Sequence, residues 1–403
     1  MDLISRLGAW ALARPRVLVV DAPGSDEHRW RAEAELDRRG WPLGVGPADT
    51  DLLLVLGAPG RELAAAVDVV WSQIPAPRAR VGLRASDDVA AALDAGRAAL
   101  RERARSGSFD HRPSPGSLLG KEDEQAHEGM DHGGGHEGMD HGGGHEGMDH
   151  GGGHEGMDHG GGHEGMDHGG GHVGMDHGGG HEGHHMHHGG EVAGLPMAMT
   201  GPDRDGLELD VLKVSLGPVL PGWPTGLLLR AELQGDVLTG AAFSWLDVES
   251  LPAARSELDP RQVGLDHLAR FLLVAGWPTA ARDARSARDG LRSEDRASRA
   301  AAEDLAERLA RRVGRSRVLA WTAAGVGCSP RGERTASGGS VTDRLRHWCE
   351  VAGGRTGDDI GLPTLEDVAD MVDGAEIGTA RLVVAALGLE PVPAWPSPES
   401  ARA

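Results

Sequence analysis

Over its first hundred residues the chain alternates short apolar runs with helical patterns. "RVLVV" (16–20), "DLLLVLG" (51–57) and "RARVGL" (78–83) read as buried strands, because each is a nearly continuous apolar run bounded by turn-forming residues. Between them, "HRWRAEAELDRRG" (28–40) has the spacing of an amphipathic helix closed by Gly40, and "RELAAAVDVVWSQI" (61–74) that of a second. "SDDVAAALDAGRAALRERA" (86–104) predicts a third, with Ser86 as its N-cap. Strands alternating with helices of this length imply parallel pairing and right-handed crossovers. The prediction for residues 1–105 is therefore a flavodoxin-like, three-layer α/β domain.

From Ser106 the apolar pattern stops, and it stays absent through Gly190. A segment so poor in apolar residues cannot offset the entropy of ordering, so 106–192 is expected to be a disordered His/Gly-rich linker. Patterning resumes in 193–403, predicted as an α+β, mainly helical domain. "LELDVLKVSLGP" (207–218) and "TGLLLRAEL" (225–233) alternate as strands joined by a turn at "PGWP" (221–224). Helical spacing then covers 260–276, an Arg- and Ala-rich stretch from Ala280 to Arg312, and 341–353, 363–373 and 375–388.

The linker brings in the first candidate chemistry. The unit "HEGMDHGGG" starts at His127 and repeats from His136, His145, His154 and His163, and from His172 with Val173 in place of Glu. The candidate metal ligands are His127, His132, His136, His141, His145, His150, His154, His159, His163, His168, His172, His177, His181, His184, His185, His187 and His188, which is 17 of the chain's 21 histidines. Neutral imidazole suits Zn, Ni and Cu, and the thioether of each repeat adds preference for Cu(I). Glycine at about 1 kcal/mol per residue relative to alanine rules out a stable helix through these repeats. Ligands would be gathered from coil against loop-closure entropy, giving many weak, exchangeable sites. A calcium-binding β-roll also has a period of nine, but its inward-pointing apolar position is glycine here.

Charge and cysteine usage narrow the function classes. The formal charge is −21, and residues 127–190 contribute heavily to it because they contain no Lys or Arg. The remainder is still acidic, which argues against a nucleic-acid surface. Cys328 and Cys349 are too few and too far apart for a disulfide framework or a zinc ribbon. Cys349, beside Trp348, is expected to be a core thiol, and Cys328 lies in a Gly-rich stretch. His267 and His347 fall within apolar helical patterns and read as structural. With no signal peptide and no apolar run approaching a membrane span, the expected location is cytoplasmic. No nucleophile–base constellation is visible, so catalysis is not expected.

Two stretches carry a resemblance. "ADTDLLLVLGAPGRELAAAVDVVWSQIPAPRARVGL" (48–83) resembles the small iron–sulfur subunit of respiratory complex I (NADH:quinone oxidoreductase) and of [NiFe] hydrogenases. There a strand of pattern A-D-x-L-x-V-x-G leads to a helix ending in Q-x-P-x-P-R. Ala48, Asp51, Gln73, Pro75, Pro77 and Arg78 keep that pattern. "GPVLPGWPTGLLLRAELQGDVLTGA" (217–241) is similar to the opening hairpin of the large partner subunit, through Gly217, Pro218, Pro221, Gly226, Leu233, Gly235 and Asp236.

The departures from the family are chemical. Its small subunit holds a [4Fe–4S] cluster on four thiolates, two of them in the loop after the first strand. Here that loop is Ala22, Pro23, Gly24, Ser25 and Asp26, and the loop after "RARVGL" is Arg84, Ala85 and Ser86. No iron–sulfur cluster is therefore expected. The two histidines of the hairpin pattern are replaced, by Leu220 and by Pro224 or Thr225, and a chain with no Tyr lacks the quinone-binding tyrosine. The resemblance implies a degenerate, non-catalytic accessory subunit. Its partners would be subunits of a membrane-bound complex-I or hydrogenase-type oxidoreductase, reached at the inner face of the membrane, with weakly held Ni, Zn or Cu on the His-rich tract. The competing expectation is a stand-alone Ni, Zn or Cu storage or delivery protein.

Overall fold

The structure is a computed structural model and describes residues 12–106, 191–192, 195–196, 199–202, 208–248, 258–327, 339–356 and 360–391. The 17 tract histidines and Cys328 lie outside the described residues. The described residues belong to one compact unit.

The N-terminal part is a three-stranded parallel sheet of β1 (Val17–Asp21), β2 (Leu52–Leu56) and β3 (Ala79–Leu83), in that order. Three helices cover it: α1 (Asp26–Arg39), α2 (Arg61–Gln73) and α3 (Val89–Ser106). All five side chains of β2 are buried, because helices lie on both faces. Ala32 and Leu36 of α1, with Leu93 and Leu100 of α3, pack on Val17, Leu52, Leu54 and Leu56. Leu63 and Val67 of α2 pack on the opposite face, against Leu18, Val20, Leu53 and Val55. The predicted cap of α3 is corrected: Asp88, not Ser86, accepts the hydrogen bond from Ala90 N at 2.8 Å. Asp88 directly precedes Val89, the first helical residue, so its carboxylate meets the second amide of the helix, whereas Ser86 lies two residues too early to cap it.

Helices on opposite faces require the chain to reverse its direction across the sheet, since parallel crossovers are right-handed. The reversal lies at Pro42–Gly44, beside β1. Val17 N donates to the Pro42 carbonyl at 3.0 Å, Gly44 N donates to the Val17 carbonyl at 2.9 Å, and Leu43 bridges Val17 in parallel. This reduced edge strand makes the sheet doubly wound, with its switch point between the carboxyl ends of β1 and β2.

The C-terminal part is mainly helical, with a two-stranded and a four-stranded antiparallel sheet among its described residues. Two-residue strands, Glu191–Val192 and Leu195–Pro196, pair with each other. The four-stranded sheet has the order β4 (Met199–Pro202), β5 (Glu208–Leu216), β6 (Leu227–Gln234), β7 (Val237–Trp245). Alternation places Leu227, Leu229 and Ala231 of β6 in the core, while Arg230 faces outward. The helices are α4 (Pro260–Val274), α5 (Pro278–Gly290), α6 (Arg296–Gly314), α7 (Arg317–Thr322), α8 (Val341–Ala352), α9 (Leu365–Val372) and α10 (Ile377–Leu387). The stretch expected as one helical segment from Ala280 to Arg312 is two helices. Asp295 ends the turn between them and caps α6, accepting from Ser298 N at 2.8 Å. α4 is the centre of this part, and its buried residues include the charged Asp266 beside Leu265 and His267.

Candidate functional site at the carboxyl edge of the parallel sheet

A doubly wound sheet offers ligands the crevice at its switch point, where the N-terminus of a helix favours an anion. Here the crevice is bounded by the turn Ala22–Ser25 after β1 and by Gly57–Gly60 after β2. Ser25 N donates to the Ala22 carbonyl at 3.0 Å, and Gly24 takes φ 82°, a left-handed conformation that glycine adopts without strain.

The N-terminus of α2 is occupied by a carboxylate from the C-terminal part. Asp247 accepts from Glu62 N at 3.0 Å and from Leu63 N at 2.8 Å, and its own N–H donates to Glu62 Oε2 at 3.1 Å. This exchange has the logic of a capping box, made between residues 185 positions apart. Gly60 permits it, because a Cβ there would collide with the Asp247 carboxyl group. Asp247 sits at φ 52°, where Asp is among the few non-glycine residues commonly found.

Beside this cap lies a buried network of charges. Arg29 of α1 donates bidentately to Asp266 of α4, Nη2 to Oδ2 at 2.7 Å and Nη1 to Oδ1 at 3.0 Å. Its remaining donors reach Glu33 at 3.1 Å and Asp21, at the end of β1, at 3.1 Å. Arg288 of α5, fully buried, bridges Asp266 at 2.6 Å and Glu33 at 2.8 Å, and Arg270 Nε lies 3.1 Å from Asp266. Thr225 Oγ1 donates to Asp21 at 2.7 Å, and Arg285 pairs with Asp37 at 3.1 Å.

The electrostatics follow from this geometry. Burial alone would raise the Asp266 pKa, but Arg29, Arg270 and Arg288 hold it well below the usual carboxylate range. Glu33 is likewise lowered, against burial, by Arg29 and Arg288. Burial would lower the Arg29 pKa, yet Asp266, Glu33 and Asp21 raise it well above the ordinary value. His267, next to Asp266, is pushed down to about 4 by burial and by Arg270. It is therefore neutral, with its ring 4.4 Å from that of Trp348. His347 also meets Trp348, edge-on at 4.7 Å. Cys349 is buried in the same core, and burial pushes its thiol up to about 12.

Leu220, Pro224 and Thr225 line two recesses here. Leu220 and Thr225 line a cleft of about 130 Å³ with Asp21, Arg29, Trp223 and Arg270. Pro224 and Thr225 line a second recess of about 50 Å³ with Pro23, Gly24, Trp30 and His267. That is room for a few waters. Four thiolates would be needed to ligate a cluster at this edge, and Ala22, Pro23, Gly24, Ser25, Arg84, Ala85 and Ser86 offer none. Among the described residues, no cluster of three or more His, Cys, Asp or Glu is placed to hold a metal ion.

Sequence reasoning missed Arg29, Glu33, Asp266, Arg288 and Asp247. A signal existed for one of them, since "LDHLARFLL" sets a carboxylate between apolar helix positions. No protein-family model matches the chain, and no curated protein or solved structure matches it.

Proposed function

We propose that the chain is a cluster-less, non-catalytic accessory relative of the complex-I and hydrogenase subunits. In this reading, a flavodoxin-like small-subunit module and a large-subunit-like module are fused in one chain and joined through a transition-metal-binding tract. One observation carries the proposal. The two stretches bearing the two partner-subunit patterns meet at the parallel sheet, where Val219 packs against the apolar cluster that holds Leu53, Val55, Leu63 and Val67. The charged network beside them supports a structural role, because both oxygens of Asp266 are engaged by arginines and neither is free to act as a base.

Affinity purification from membranes tests the reading. The full chain and a variant lacking 127–188 should both retain a membrane-bound oxidoreductase of this class, because docking belongs to the folded unit. An intact chain that never associates with such a complex overturns it. The 17 histidines of the tract favour a second reading, a stand-alone Ni, Zn or Cu store. Isothermal titration with each ion should show weak, multi-site binding that is lost in the deletion variant. The store reading gains if binding is present while association is absent.

A further inference from the structure

The end of α6 and the short helix α7 form a surface unlike the rest of this acidic chain. Arg308, Arg311, Arg312, Arg315 and Arg317 fall within ten residues, and no Asp or Glu occurs from Arg308 to Gly327. Two of the five are engaged by carboxylates: Arg311 with Glu307 at 3.3 Å, and Arg312 with Asp283 at 2.7 Å. Arg308, Arg315 and Arg317 have no carboxylate within ion-pair distance among the described residues.

The same helix carries the two most exposed large hydrophobic side chains among the described residues, Trp321 at 79% and Val318 at 69%. They are three positions apart and so share a face, while Leu319, between them, is buried and anchors α7 to the core. Beside α7 opens a cleft of about 580 Å³. Arg311, Arg315, Arg346 and Arg355 line it and outnumber Glu307 and Glu350, while Leu319 and Leu345 contribute apolar wall. Unpaired guanidinium groups suit phosphate, an exposed indole beside a valine suits the boundary between headgroups and acyl chains, and a cleft with cationic and apolar walls suits a molecule having both parts.

We propose that this face docks the chain directly onto an anionic phospholipid bilayer. Trp321 and Val318 enter the interfacial layer, and Arg308, Arg315 and Arg317 meet lipid phosphates. The inference adds to the membrane association of the preceding reading without resting on a partner complex. Protein-free vesicles therefore test it even where that reading fails.

The experiment is co-sedimentation of the full chain, with a chelator present, on vesicles of phosphatidylcholine alone or with one-third phosphatidylglycerol. Binding is expected on the anionic vesicles only, with loss at high salt. Each cation near such a surface changes partition about fivefold, so Arg315→Glu with Arg317→Glu should weaken binding by at least about tenfold. Trp321→Ala should weaken it too and should remove the part of the tryptophan emission quenched by acyl-brominated lipid. Both sets of residues are exposed, so thermal melts of the variants should match the parent. The proposal is overturned by absence of binding to anionic vesicles, by equal binding to neutral ones, or by binding indifferent to these substitutions. It is also overturned if deletion of 127–188 abolishes binding, or if the variants lose only retention on an acidic protein surface.

Discussion

The interiors of the two parts and the join between them are built from opposite chemistry. The two apolar clusters of the parallel sheet draw their buried members from residues 17–100, and the larger C-terminal cluster draws its own from 223–389. Among the described residues of the C-terminal part, only Val219, half-buried, packs against a cluster of the sheet. The bonds that cross between the parts are polar, Arg29 to Asp266, Arg288 to Glu33, Thr225 to Asp21 and Asp247 to the start of α2, with the Trp30 ring beneath the Arg288 guanidinium. Apolar burial is non-directional and tolerates repacking. A buried ion network accepts one arrangement, because each charge costs several kcal/mol unless its partners are in place. The interiors hold each part together, and the network sets how one part seats on the other.

The largest effect expected is from removing the network's centre. Asp266→Ala leaves Arg29, Arg270 and Arg288 facing one another with most of their compensation gone, and should destabilise the chain by about 3–5 kcal/mol. Leu268→Ala, in the C-terminal core, should cost a similar ~2–5 kcal/mol. The two differ in how the chain unfolds. In denaturant, Asp266→Ala should split the transition into separate N- and C-terminal steps, whereas Leu268→Ala, with the network intact, should shift one common transition of both signals. A single unsplit transition for Asp266→Ala would show that the charges do not set the seating.

Acid should reach the network before it reaches the apolar interiors. His267 has a folded pKa of about 4, below its unfolded value, so between those values the unfolded chain binds the extra proton and stability falls as pH drops. The loss should amount to about 3 kcal/mol between about pH 6.5 and pH 4. Asp266 and Glu33 are lowered in the fold, so their stabilisation is present above the usual carboxylate range and is lost as pH falls below it. Urea midpoints from pH 8 to pH 3 should decline in both windows. His267→Gln should flatten the upper window and leave the lower one.

How far this arrangement was legible in the sequence follows the same division. β2, "LLLVL", was readable because a strand buried on both faces is a continuous apolar run. The edge strand that makes the sheet doubly wound was not, since Pro42–Gly44 pairs through backbone groups over only three residues. β7 was missed because "VLTGAAFSW" places small and polar residues on a half-buried strand and lacks clean alternation. The network was the least legible feature. Arg29 and Asp266 are 237 positions apart, and nothing local in an Arg-rich helix marks one guanidinium as buried. Of the candidate site, only Asp266 left a local signal, as a carboxylate set between apolar helix positions. The cap that Asp247 supplies depends on a sequence separation that no motif encodes.

That cap should give the smallest effect and isolate the polar join from the charged one. Asp247→Ala removes the acceptor for Glu62 N and Leu63 N without exposing a buried charge, so a loss of about 1 kcal/mol is expected, as for other N-caps. Asp247→Asn should cost less, because its side-chain oxygen can still accept one of those bonds and Asn tolerates φ near 52°. Amide hydrogen exchange gives the location. Glu62 and Leu63 should lose protection in Asp247→Ala while the α4 amides around Asp266 stay unchanged. If the α4 amides open together with the start of α2, the cap and the ion network form one cooperative element, and the seating of the two parts depends on the cap as much as on the buried arginines.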